Sequence, residues 1–451
     1  MDFEELNLNA PLLNALADLE YVCPTPIQEK AFPIIMSGRN VVGIAQTGTG
    51  KTFAYLLPIL RQLTFSDQKD PRILILAPTR ELVIQIFNEI NKLTKYTTIR
   101  SGAVYGGTNI NTQKKLVYKG LDILVATPGR LIDLALTHVL QLKNIQKLVI
   151  DEVDEMLSLG FRSQLNSVLE LLPKKRQTLM FSATLTNDVD TLITNSITFP
   201  HKIEIAVHGT PLEKIIQKAY HVPNFNTKVN LLESLLNEDS ELSKVLIFVK
   251  SKKLADRLYE QVNKLFPDQA IVIHSNKSHN NRLNALKQFQ EGACRLLIAT
   301  DIIARGMDIT DVTHVINFDM PDEPGDYIHR IGRTGRVDKE GVAISFINQA
   351  ELVFQNEIEM LMKQKIPMEL LPEGLAISNV FSEEERPTNL FDKNYYKGPS
   401  IKDSKGAFHE KSEKNKKVNI GGPKVRLAKF DKRGKPRKTK KGTKRGGKRN
   451  Y

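Results

Sequence analysis

The chain has 451 residues, 41% of them hydrophobic and 25% charged, which is too long for one ordinary core and suits a folded protein of two or three domains. No apolar run reaches the roughly 18 residues of a membrane span, the acids of MDFEELNLNA argue against a secretory leader, and Cys23 and Cys294 form no metal-ligand pattern, so a reduced, cytoplasmic protein without a membrane partner is expected. The net charge of +13 is concentrated at one end: residues 386–451 hold 23 Lys and Arg against 5 Asp and Glu, +18, leaving the first 385 residues at about −5.

From residue 40 onward a short β-branched apolar run repeatedly ends in small or polar residues and passes into a helix-like segment. The runs are NVVGIAQTGTGKT (40–52), RILILAPTREL (72–82), DILVATPGRL (122–131), KLVIDEVDEM (147–156) and QTLMFSAT (177–184). A second set follows: KVLIFVKS (244–251), AIVIHSN (270–276), RLLIATD (295–301), HVINFDMP (314–321) and GVAISFI (341–347). Near-continuous apolar strands alternating with helices predict an α/β fold of two tandem parallel-sheet domains, with ligands held past the carboxyl ends of the strands. Gly209-Thr210-Pro211 marks a break, so the domains are expected at 1–207 and 216–375, joined by a linker at 208–215. Periodicity fades from about Glu383, and residues 376–451 are expected to be a basic tail, disordered alone.

In AQTGTGKT (45–52) the glycines let backbone N–H groups turn toward phosphate. Lys51 adds a mobile positive charge and the Thr52 hydroxyl suits Mg²⁺, although Ala45 stands where the common phosphate-loop pattern has Gly. In DEVD, Asp151 ends a strand and can hold Mg²⁺ through water, while Glu152 can polarise an attacking water. The competing reading is an acidic first helical turn that favours the helix dipole. HRIGRTGR (329–336) sets guanidinium groups at a spacing that suits a γ-phosphate reached from a second domain. In ATDIIARGMDI (299–309), Asp308 can hydrogen-bond a ribose hydroxyl.

Together these segments resemble the DEAD-box family of ATP-dependent RNA helicases over about residues 3–348, with the motifs in family order and DEVD in place of DEAD. The resemblance implies two RecA-like domains, ATP and Mg²⁺ as cofactors, and RNA as partner. It implies that Gln28 of PTPIQ contacts adenine, Tyr21 stacks on it, and Phe3 is the upstream aromatic. Ala45, Gln46, Thr47, Gly48, Thr49, Gly50, Lys51 and Thr52 would hold the phosphates, with Gly306 and Asp308 completing the ATP site. Lys51, Asp151, Glu152 and the arginine fingers Arg333 and Arg336 would carry catalysis, with Thr52 and Asp151 at the metal. Asp154, Ser182, Thr184 and His329 would couple the domains, Asp154 holding SAT and Gln28 in register. RNA phosphate and sugar would meet Pro78, Thr79 and Arg80, then Gly106, Gly107, Thr127 and Arg130, and in the second domain Arg282 and Thr300.

The chain departs from the family pattern at Glu20, usually Gly, at Ser275, at His279, where Gln is common, and at Val153 in place of Ala. Val153 is expected to be accommodated by the surrounding core.

The expected activity is ATP hydrolysis coupled to local unwinding of RNA duplexes or remodelling of RNA–protein complexes, by a monomer, with ribosomal or ribonucleoprotein particles among the partners the family allows. An ATP-dependent RNA clamp or annealing chaperone is the alternative. A GTPase is disfavoured, since the chain has no NKxD and Gln28 suits adenine. The tail is expected to tether RNA nonspecifically, with Phe408, Phe430 and Tyr451 as sparse stacking groups.

Overall fold

The β-branched runs become strands that stop where their polar residues begin, and in the computed structural model they assemble into two sheets. The structure describes residues 2–46, 48–205, 215–238, 241–301, 309, 312–335, 341–382 and 385. Thr47, Gly306, Asp308 and Arg336 lie outside the described residues, as do residues 208–214 of the expected linker and 386–451 of the expected tail.

In the first sheet β1 (Val41–Ile44), β2 (Ile73–Leu76), β3 (Ser101–Val104), β4 (Ile123–Ala126), β5 (Lys147–Ile150), β6 (Gln177–Ser182) and β7 (His201–Glu204) are all parallel, in the order β3-β4-β2-β5-β6-β1-β7. The second contains β8 (Ile215–His221), β9 (Val245–Phe248), β10 (Ala270–Ile273), β11 (Leu296–Ala299), β12 (His314–Asn317), β13 (Gly341–Ile347) and β14 (Met368–Glu369). Its order is β10-β11-β9-β12-β13-β8-β14, again parallel. The two orders match strand for strand, so one RecA-like topology is used twice.

Helices follow most strands: α1 (Ala10–Asp18) and α2 (Pro26–Met36) precede β1, and α3 (Lys51–Gln62), α4 (Arg80–Leu93), α5 (Ile110–Tyr118) and α6 (Pro128–Leu136) follow β1 to β4. After β5 come α7 (Val153–Ser158) and α8 (Arg162–Leu171), and after β6 comes α9 (Asn187–Ser196). The second domain adds α10 (Phe225–Glu238), α11 (Lys252–Leu265), α12 (His279–Gln290), α13 (Pro324–Ile331) and α14 (Leu352–Met362). Alternate residues of one strand enter cores on opposite faces, Ile73 and Ile75 on one side of the first sheet and Leu74 and Leu76 on the other, which is why these strands read as unbroken apolar runs. Among the described residues no helix is long and apolar enough to cross a membrane.

Strand order sorts the motifs. The neighbours β5, β6 and β1 deliver DEVD, SAT and AQTGTGKT to adjacent positions, and β2, β4 and β3 deliver APTREL, TPGR and the Gly106–Gly107 pair beside them.

At the end of the body the compact unit runs on past residue 375. Residues through Glu385 belong to one compact unit, and the segment assigned to the tail from residue 376 is tied to the first turns of α10. The side chains of Asn224, Asn226 and Asn230 donate to the carbonyls of Ser378, Val380 and Ala376. The Glu385 carboxylate accepts from the Phe225 N–H, an otherwise orphaned donor at a helix start. Polar demand, not apolar periodicity, holds this strap, so hydrophobic patterning does not reveal it. The last residue of the expected linker, Ile215, opens β8.

Candidate functional site

The phosphate loop leaves β1 at Ala45, which is buried and donates its N–H to the Ser182 carbonyl. Gly48 and Gly50 adopt φ of +80° and +88°, the left-handed region that glycine tolerates best. At Gly50 a Cβ would also lie 2.4 Å from Gln28 Nε2, so a side chain there would have to displace the Gln28 amide. Gln28 is a connector here: its Nε2 donates to the Gly50 carbonyl at 3.1 Å, and its Oε1 accepts from the Thr25 N–H at 3.0 Å. Thr49 Oγ donates to the Gln46 carbonyl, tightening the loop. Tyr21 is exposed and packs edge-on to Phe53, with centroids 5.3 Å apart. Phe3 is only 4% exposed and belongs to the first-domain core, so it supports this region from beneath.

Glu20 explains its own oddity. It follows the end of α1 with φ +59°, its N–H donates to the Ala17 carbonyl, and the Tyr21 N–H donates to the Leu16 carbonyl. This is the helix-ending turn in which glycine is usual, and it aims Tyr21 outward.

At the end of β5, Asp151 is 2% exposed; its Oδ2 accepts from the Tyr55 hydroxyl at 2.9 Å and its Oδ1 from the Glu152 N–H at 3.0 Å. Burial first, and then the neighbouring Glu152 charge, push its carboxyl up to about 6. Glu152 has φ +49°, a strained turn for a non-glycine residue, and its carboxylate lies 3.3 Å from Lys51 Nζ. Burial disfavours the Lys51 charge, but Glu152, Asp151 and Asp154 outweigh it and hold the ammonium above its usual range. Val153 is fully buried in the core with Ile150 and Met156.

Asp154 Oδ2 accepts from the Ala183 N–H (3.1 Å), the Thr184 N–H (2.8 Å) and the Thr184 hydroxyl (2.9 Å), and the Ser182 hydroxyl accepts from the Asp154 N–H. From the second domain, His329 Nε2 stands 3.7 Å from the same oxygen. Burial opposes ionisation of Asp154, yet the His329 and Lys51 charges and the Thr184 bonds keep its carboxyl below the usual range. The hub thus joins SAT to His329, while Gln28 is held separately.

His329 lies on α13 beside Arg330, which the motif reading passed over. Arg330 is 2% exposed; its Nε and Nη2 meet both Asp301 oxygens at 2.5 and 2.7 Å, and its Nη1 donates to the Asp319 carbonyl at 2.6 Å. Arg333, one turn on, is 9% exposed.

On the other half of the first sheet, Thr79 caps α4 by accepting the Leu82 N–H, and Pro78 is buried. The Arg80 guanidinium lies 4.7 Å over the Tyr105 ring, near the exposed Gly106 and Gly107. Arg130 donates to Gln113 Oε1 (2.8 Å) and the Thr108 carbonyl (3.1 Å), bracing that glycine loop. Thr127 immediately precedes α6 and is half-buried, and Thr300, just past β11, is buried. Arg282 pairs across the domains with Glu81 of APTREL at 2.9 Å.

Tyr55, Glu81, Asp301 and Arg330 are the site-associated residues that motif reading left without roles. Glu81, Asp301 and Arg330 stand inside segments read for their neighbours, and Tyr55 lies four residues after Lys51, on the same helical face.

Comparison with known proteins gives concordant matches. Residues 25–192 match the DEAD/DEAH box helicase family, and residues 227–338 match the helicase conserved C-terminal domain. The Arabidopsis thaliana protein named DEAD-box ATP-dependent RNA helicase 30 is 37% identical over 366 residues, 80% of this chain and 62% of that protein. The structure of S. cerevisiae Dbp5 bound to RNA and ADP BeF3 superposes with a TM-score of 0.73 at 30% identity, covering 82% of this chain and 95% of that one. DEAD-box helicase Mss116 bound to ssRNA and UDP-BeF gives 0.73 at 31% identity, covering 85% and 80%.

Proposed function

This chain belongs to the DEAD/DEAH box helicase family, and from that premise we propose that it is an RNA-stimulated ATPase that opens short RNA duplexes or remodels RNA–protein complexes by closing two domains around ATP and RNA. One observation carries the reading: a single Asp154 oxygen takes donors from SAT and faces His329 of the second domain, beside the lysine of the phosphate loop. A carboxylate so shared lets each domain respond to what the other holds.

The donor set fits a divalent cation. Three carboxylates face one lysine, and Asp151 resists ionisation without further positive charge. Asp151, through water, and Thr52 would hold Mg²⁺, which neutralises phosphate charge when bound.

The protein's own groups supply the rest. Lys51, paired with Glu152 in this structure, turns to the ATP phosphates and leaves Glu152 to orient a water and accept its proton. The water oxygen bonds to the γ-phosphorus, the bond to the β–γ bridging oxygen breaks, and ADP leaves. Arg333 and Arg336 stabilise the charge on the transferring group, and closure brings them there. Gln28 and Tyr21 read and stack adenine, and Asp308 holds the ribose.

RNA runs over Arg80, Gly106, Gly107, Thr127 and Thr300 by sugar and phosphate, with Arg130 bracing the loop and Arg282 acting as an interdomain strut. Backbone gripping gives no sequence preference, and the bent strand cannot stay paired. That Dbp5 and Mss116 are each described bound to RNA supports RNA as the ligand. We place the protein in the cytoplasm as a monomer acting on ribonucleoprotein particles, its basic tail recruiting RNA to an acidic body.

Glu152→Gln tests the reading. It keeps ATP and RNA binding, stops turnover, and traps the closed complex, read by RNA retention on a filter. Wild-type ATPase activity indifferent to RNA would overturn the proposal, and a strand-displacement assay separates unwinding from clamping.

A further inference from the structure

Beneath the arginine helix lies a buried ion triad that no motif contains. Lys228 on α10 is 1% exposed, and its Nζ meets Asp319 Oδ1 at 3.2 Å and Glu351 Oε2 at 2.9 Å. The other carboxylate oxygens are used as well: Asp319 Oδ2 accepts from the Lys250 N–H and Glu351 Oε1 from the Met320 N–H, each at 3.0 Å. The triad therefore grips the turn between β12 and α13 from two sides. Out of that turn comes the Asp319 carbonyl, which takes the Arg330 Nη1 donor at 2.6 Å.

Burying two carboxylates and one ammonium gives no stability advantage over apolar packing of the same volume, so stability alone does not account for the triad. Burial works against the Lys228 charge, but Asp319 and Glu351 hold the ammonium above its ordinary range. Glu351 is pushed up, by burial first, although Lys228 favours its ionised form. The arrangement has a geometric use. Among the described residues Arg330 bonds to Asp301, Asn317 and the Asp319 carbonyl and lies over the Phe248 ring, and of these the Asp319 carbonyl lies in the turn that Lys228 fixes. Arg333 follows on the next turn, its N–H bonded to the Arg330 carbonyl.

We infer that Lys228 is a positioning residue for the arginine helix: it fixes the turn whose carbonyl aims Arg330, and through Arg330 it sets where Arg333 stands. The inference rests on the reading of Arg333 as a γ-phosphate ligand. Misplacing a transition-state group should lower kcat while leaving ground-state nucleotide binding intact.

The test uses the full-length chain, saturating single-stranded RNA and a fluorescent ATP analogue that counts competent sites without RNA. Lys228→Met should cut kcat by about 30-fold, with analogue affinity and the KM for ATP within about threefold of wild type. Because that variant strands two buried carboxylates, a second carries Lys228→Met with Asp319→Asn and Glu351→Gln, leaving no unpaired charge. It should melt near wild type and keep the kcat deficit. Wild-type kcat in the triple variant, or a Lys228→Met loss that merely tracks lost analogue sites, overturns the inference. A wild-type protein without RNA-stimulated ATPase activity would instead remove the underlying reading, and that is seen before any variant is made.

Discussion

Asp151→Asn should stabilise the metal-free protein and abolish its turnover. Asp151 is fully enclosed, and burial followed by the Glu152 charge raises its carboxyl from 3.8 to about 6. The sign follows from linkage: a carboxyl with a raised folded-state pKa binds its proton more tightly when folded, so stability falls as pH rises from the unfolded value through the folded one. Above pH 6 the full cost is present, and a shift of about two units corresponds to about 3 kcal/mol. Asparagine removes the charge but weakens two bonds, from the Tyr55 hydroxyl and the Glu152 N–H, returning about 1 kcal/mol. The net gain of about 2 kcal/mol raises the first-domain melting temperature by about 4–8 °C. The chain has no Trp, so circular dichroism is the readout, in EDTA at pH 7.5 and again near pH 4. The gain should be present at pH 7.5 and fade at the lower pH, where the wild-type carboxyl is protonated in the fold. Magnesium and ATP should raise the wild-type melting temperature and leave the variant nearly unmoved. A variant melting at or below wild type at pH 7.5, or an equal gain at both pH values, would refute the argument that an unmet charge waits at this strand end.

Two other perturbations separate packing from polar anchoring. Val153→Ala removes two methyl groups from a fully buried position and should cost about 2 kcal/mol of first-domain stability with turnover near wild type. Unchanged melting with sharply altered RNA-coupled turnover would give Val153 a role beyond packing. Truncation after Glu385 should leave second-domain melting unchanged, whereas truncation after Leu375 removes the strap bonds of Asn224, Asn226 and Asn230 and should lower stability by about 2–4 kcal/mol. Equal melting of the two truncations would mean that the strap contributes nothing.

Much of the fold was legible because most of the parallel strands are apolar on both faces and end in residues that cannot continue them, whereas the mostly exposed HKIE of β7 and the exposed ME of β14 carry no such signal. Ile150 running into Asp151 marks both the end of β5 and the start of the acidic site in one step. Contiguous motifs such as GTGKT were legible for a related reason: phosphate binding needs consecutive backbone groups, so its residues are neighbours in sequence. The strap was not legible, because its bonds run from α10 side chains to main-chain carbonyls and impose almost no pattern on residues 376–382.

The least legible feature is what aims the chemistry. Arg330 is the first arginine of the conspicuous HRIGRTGR run, and the sequence invites its assignment to phosphate with its neighbours. The strand order decides otherwise. With β11 and β12 on either side of β9, Asp301 and Asp319, each two residues past its strand, converge on Arg330. Its donors are spent inside the domain, while Arg333 follows it at the end of the same helix. Guanidinium spacing alone cannot separate an arginine that reaches ligand from one that holds the helix still. Separating them requires knowing which acceptors lie beneath, and those are contributed by residues 11 to 29 positions away in the chain.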